Sequence, residues 1–179
     1  MPSSLHVLAG CRGQVRRRTL GDAHPDTLDS ITNLALHHTE TGNFAAALAL
    51  SEEVVAATRR TTGTEHEEAA HSIGSLAAVH NLMGNFSLAE PLHNEALAIR
   101  RRLLGDEHLD TMNSSFGLGQ CLVGLRRHDE ALLRLAEVAS ASSRVFGPEH
   151  PTSKHFSNGL AAAKERIEGD SEQRAGKHV

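Results

Sequence analysis

Leu20-Gly21-Asp22-Ala23-His24-Pro25 returns two steps of 42 residues later as Leu104-Gly105-Asp106-Glu107-His108. The same step of 42 spaces Gly21, Gly63, Gly105 and Gly147, and also His24, His66, His108 and His150. It relates Leu34, Leu76, Leu118 and Leu160, each followed by a small residue (Ala35, Ala77, Gly119, Ala161), and it relates Ala47, Ala89 and Ala131. Gly42-Asn43-Phe44 falls onto Gly84-Asn85-Phe86 in the same register. A fixed period in this range marks stacked supersecondary units, none of which can bury its apolar face alone. The sequence therefore predicts three full units at 20–61, 62–103 and 104–145, a partial second-helix half at 1–19 and a trailing first-helix half at 146–168. Residues 169–179 are polar, lack an apolar stripe and are expected to form a disordered tail.

Within a unit the apolar spacing is helical. Leu28, Ile31, Leu34, Ala35 and His38 lie on one stripe, Gly42-Asn43 interrupts it, and Phe44, Ala47, Leu48, Leu50, Val54 and Val55 begin a second. Each unit is thus a helical hairpin, and the fold class is all-α. The hairpins close on Arg59-Arg60 or Arg100-Arg101-Arg102, which suit the negative end of a helix dipole better than they suggest a phosphate site. Gln14-Val15-Arg16-Arg17-Arg18 stands two periods before Ala98-Ile99-Arg100-Arg101-Arg102, which marks it as the end of a second helix. Pro25 and Pro151 fit a first helical turn, where a missing N–H costs nothing. Pro91 lies inside a second helix and removes one backbone hydrogen bond there.

Composition narrows the function. The 179 residues include five Phe but no Tyr or Trp, and the net charge is −4. That leaves neither a stacking platform for single strands nor a basic field for a polyphosphate, so no nucleic-acid partner is expected. Charged residues interrupt every apolar run well short of a bilayer span, and no membrane partner is expected. Cys11 and Cys121 show no paired spacing, so a reducing, cytoplasmic setting is the simpler reading. Leu8-Ala9-Gly10-Cys11 has the small-residue pattern of a lipoprotein cleavage site, but residues 2–7 hold no Lys or Arg and the apolar stretch is too short.

The 13 His raise the question of a metal or catalytic site. Four of them recur because the loop recurs. His37, His38, His71, His80 and His93 lie on helices without the His-Glu-x-x-His spacing of a zinc site, and His66-Glu67-Glu68-Ala69-Ala70-His71 is one residue too long. No phosphate loop or nucleophile elbow is present. Cys121, beside Leu118 and Leu122, reads as a small buried hydrophobe. No metal, no cofactor and no enzymatic activity are expected.

Helical hairpins with a Leu-small pair in the first helix and a fixed Ala in the second resemble the tetratricopeptide repeat, Leu118-Gly119 being the nearest copy of its Leu-Gly pair. The 42-residue period, Leu20 to Pro25, and the Ala-Glu-Pro-Leu and Ala-Leu-Ala-Ile-Arg strings from Ala89 to Arg100 are similar to the kinesin light chain type. The resemblance implies a right-handed α-α superhelix, a solenoid of 42-residue hairpins that serves as a non-catalytic scaffold or adaptor binding a peptide in its concave groove. Two other readings stand beside it: the sensor repeats of a larger signalling ATPase, and a His-based metal protein. Arg126-Arg127-His128 replaces Gly-Asn-Phe in the third unit, where a different inter-helix turn is expected. His38, His80 and Leu122 replace the usual first-helix aromatic, and the coiled coil that joins true kinesin light chains to a motor is missing from the sequence.

In the family the first helices line the concave face. Carried onto this sequence, the groove positions are Asp29, Thr32, Asn33 and Leu36, then His71, Ser75 and Ala78, then Asn113, Phe116 and Gln120, with His155 and Asn158 on the trailing helix. None is Lys or Arg, so the groove suits an uncharged or weakly basic peptide better than a terminal carboxylate. Asn33 and Asn113 would bond the peptide backbone. Phe116 either supplies the one large apolar contact or packs against the adjacent helix, and the sequence leaves both open. The trailing helix, presenting Phe156, Leu160 and Ala161, is expected to allow self-association.

Overall fold

The computed structural model describes residues 14–175, with side chains to residue 170. The Leu8–Cys11 pattern, the start of the partial first unit and the end of the tail lie outside the described residues. Those described form eight helices and no strand. They are α1 (14–20), α2 (Pro25–Glu40), α3 (Phe44–Thr61), α4 (Glu67–Leu82), α5 (Phe86–Leu104), α6 (Leu109–Gly124), α7 (His128–Phe146) and α8 (Pro151–Ala175). The chain divides into two compact units, one ending at Ile99 and the other beginning at Arg100.

In the first unit α2 packs on α3 and α3 on α4. Leu28 and Ile31 of α2 close over Val54 and Ala57 of α3, while Val55 joins Ile73 and Leu76 of α4 and Ala96 and Ile99 of α5. Burying an aliphatic side chain of this size contributes roughly 1.5–3 kcal/mol. The stripes read from the sequence are these contacts. α5 is unbroken across Pro91, which is exposed.

In the second unit α7 lies between α6 and α8, packed on both. Ala131 and Leu135 are fully buried, as is Phe156 of α8. Of the apolar stripe expected to be open on the trailing helix, Phe156 is closed, whereas Leu160 is partly exposed and Ala161 exposed. Phe156 is 0% exposed, and its ring lies 5.2 Å from Phe116 of α6. α8 also outruns the expected boundary at residue 168: it continues to Ala175, and Asp170 pairs with Arg126 at 3.5 Å. The disordered tail expected from Gly169 is helical as far as Ala175.

One local expectation changes for a backbone reason. Arg126 takes φ 62°, the left-handed conformation that Gly42 (76°) and Gly84 (77°) take at the equivalent turns. The hydrogen bonds match as well: Asn43 N–H donates to His38 O, Asn85 N–H to His80 O and Arg127 N–H to Leu122 O. The third turn is thus the same turn, made with a residue that pays a steric cost there.

The loop histidines are helix caps, with one exception. The Nδ1 atoms of His24, His108 and His150 accept from the backbone N–H two residues on, at 3.2 Å in each case. His66 makes no such bond.

Candidate functional site

The first helices hold most of the expected groove residues at the surface. Asp29, Asn33 and Leu36 on α2 are exposed, Leu36 at 56%. Thr32 is partly exposed, and its hydroxyl donates back to Leu28 O at 2.9 Å. On α4 His71 and Ala78 are exposed, and Ser75 Oγ donates to His71 O at 3.0 Å. On α6 Asn113 and Gln120 are exposed, as are His155 and Asn158 on α8. A hydroxyl that bonds its own helix is already satisfied, so Thr32 and Ser75 have less to offer a ligand than the amides.

Phe116 departs from the set. It is 7% exposed, and its ring lies 5.2 Å from that of Phe156 and 5.3 Å from that of His155. A Cβ added at Gly159 would collide with it, so α8 fits against the ring only because that position is glycine. Phe116 is a core residue of the second unit. The large apolar side chain that does stand free on the expected stripes is Leu36.

The arginine clusters do more than face helix dipoles. Arg17 donates to Glu53 at 2.7 Å, which together with Asp22 raises its pKa further despite partial burial. Arg59 holds Glu95 with both carboxylate oxygens at 2.9 Å. Arg16 donates to Asp26 O and Ser30 Oγ, both at 2.8 Å. Two periods on, Arg100 donates to Asp110 O at 3.3 Å and to Ser114 Oγ at 2.6 Å. Each joins the end of one hairpin to the first helix of the next. The period contains this signal in the shared register of Arg16 with Arg100 and of Ser30 with Ser114, but dipole complementarity alone conceals it.

Among the described residues no group of three or more His, Cys, Asp or Glu is placed to hold a metal ion, and no helix is long and apolar enough to cross a membrane. Cys121 is buried.

The family model described as tetratricopeptide repeat matches residues 26–101 and 67–142. The chain belongs to the tetratricopeptide repeat family. Its fold is similar to crystal structures of the nearly identical TPR-like repeats of a Podosopora anserina protein described as a kinesin light chain. One is of a single-substitution variant, at TM-score 0.72, and the other has a TM-score of 0.69. Both are 25% identical and cover 96% of this chain and 89% of theirs. BtubC (BKLC) from P. vanneervenii shares the fold at TM-score 0.74 and 18% identity, over 92% of this chain and 70% of its own. No curated protein matches the sequence. The repeats are kinesin light chain-like, and repeats of this family are in general protein-interaction modules.

Proposed function

We propose that this tetratricopeptide repeat protein is a non-catalytic adaptor that binds extended peptide segments on the exposed first-helix stripes of each unit, α2 and α4 in the first and α6 and α8 in the second. One observation carries the reading: Asn33, Asn113 and Asn158 are exposed on three of these helices, and their side-chain amides make no hydrogen bond among the described residues. A side-chain amide donates and accepts at once, which matches the alternating N–H and C=O groups of an extended backbone. Leu36 supplies the apolar anchor in place of Phe116. Asp29 is the charged residue of the set, so an uncharged or weakly basic peptide is favoured over an acidic one.

Peptides selected by display against the full chain provide the test. Asn33→Ala and Leu36→Ala should each weaken binding about tenfold, Phe116 being left intact to preserve the fold, and amidating the peptide C-terminus should change little. Unchanged affinity in both variants would move the site off these helices. A large loss on amidation would point to a terminal-carboxylate site instead.

A further inference from the structure

Three arginines stand one period apart, at 17, 59 and 101, and each has a glutamate 36 residues on: Glu53, Glu95 and Glu137. Arg17 reaches its glutamate while also lying 3.8 Å from Asp22. Arg59 reaches Glu95, and Thr64 stands where a competing aspartate would be. Arg101 instead turns to Asp106 at 2.7 Å, and Glu137 is left without a partner among the described residues. The third pair has not closed.

A cleft of about 490 Å³ opens there between the end of α5 and helices α6 and α7, within the usual size range of small-ligand sites. Its apolar walls are Met112, Val138 and Leu133, the last 64% exposed one helical turn before Glu137. The lining residues are particular to this repeat. Leu133 and Ala136 stand where the second repeat has Pro91 and Asn94 and the first has Ala49 and Glu52. Thr111 also lines the cleft. It is 2% exposed, and its hydroxyl has no hydrogen-bond partner among the described residues. On α6 the cleft residues Thr111, Met112 and Ser115 form a stripe separate from Asn113 and Gln120, so the peptide stripe proposed above is not involved.

We propose that this cleft receives an arginine side chain from a partner peptide, its guanidinium on Glu137 and its methylene stem over Leu133 and Met112. The occupant follows from the repeat itself, because arginine fills the equivalent place on Glu53 and Glu95 from within the chain. The two arginines that also line the cleft are paired elsewhere, Arg101 with Asp106 and Arg144 with Glu107, so a further arginine can set its fork on both oxygens of Glu137 while its stem stays on carbon. Arg101 then acts as the competitor: held by Asp106, it leaves Glu137 open.

Two blocked dipeptides, acetyl-arginyl-leucine amide and its citrulline twin, distinguish the outcomes by titration into the full chain, read from the methyl resonances of Leu133 and Val138. The arginine probe should shift them saturably and the neutral citrulline probe should bind at least tenfold more weakly. Glu137→Gln should lower arginine affinity at least tenfold. Asp106→Asn, which frees Arg101 to close on Glu137, should also weaken it, whereas Arg101→Met should strengthen it severalfold. The three substitutions are at exposed or rim positions, and an unchanged melting curve confirms each fold. No saturable shift, equal binding of the two probes, or indifference to Glu137→Gln would overturn the proposal. So would Asp106→Asn binding as well as the parent, because the competition would then be absent.

Discussion

Where the third repeat buries Leu122, Val123 and Leu135 beside Gly119, the second repeat has His80, Asn81 and His93 beside Ala77 at the same register. The third interior is apolar and tight: a Cβ at Gly119 would come within 2.7 Å of Leu135. The second is polar, with Asn81 Nδ2 3.0 Å from His93 Nε2 and His93 only 4% exposed. The same left-handed turn is made by different residues, Gly84 against Arg126, and the caps differ too, His66 without a bond and His108 with one. Register therefore dictates which positions are buried but not their chemistry. A polar pair is tolerated in the interior when its members bond each other.

The largest way to break the likeness is to bury a charge in either repeat. Leu118→Asp and Leu76→Asp place a carboxylate at positions 2% and 7% exposed. Each should cost several kcal/mol out of a typical total of ~5–15 and abolish cooperative melting at 37 °C. Full helicity by circular dichroism in both variants would remove these leucines from the core.

Acid should separate the two repeats next. Burial pushes the His93 imidazole from its ordinary 6.5 down to about 4. The folded chain thus holds it neutral where the unfolded chain protonates it. Stability from this group is present above pH 6.5 and is lost as pH falls toward 4, the whole span amounting to about 3 kcal/mol. The third repeat has leucine at this position. His93→Leu combined with Asn81→Val should flatten this part of the stability curve in urea titrations between pH 7 and 4. An identical acid slope in parent and double variant would show that His93 is not its source.

The turns and caps give the smaller effects. Arg126→Gly relieves a left-handed conformation but gives up the Arg126–Asp170 pair, for a net gain of up to about 1 kcal/mol. Gly84→Arg should lose a similar amount. Thermal melts of the two exchanges check both signs, and a loss in Arg126→Gly would mean that the ion pair outweighs the strain. Smallest of all, His108→Ala should cost about 0.5–1 kcal/mol through its cap, and His66→Ala almost nothing. Equal losses would assign His66 a role outside capping.

The period by itself determined the helices, their turns and most of the buried positions, because a 42-residue register repeated over Leu34, Leu76, Leu118 and Leu160 needs no long-range information to be seen. The resemblance to the repeat family, carried onto that register, put Asn33, Asn113 and Leu36 on a ligand-facing stripe, and all three are exposed. What the period could not decide was partner choice among chemically equivalent neighbours. Phe116 and Phe156 are both large and apolar, and only the approach of α8, permitted by Gly159, turns them toward each other and away from solvent. Arg101 has two carboxylates in register, and only the packed positions of α5, α6 and α7 give it to Asp106 and leave Glu137 beside an open cleft. Such choices turn on distances of an ångström or two between residues far apart in sequence, to which periodicity is blind.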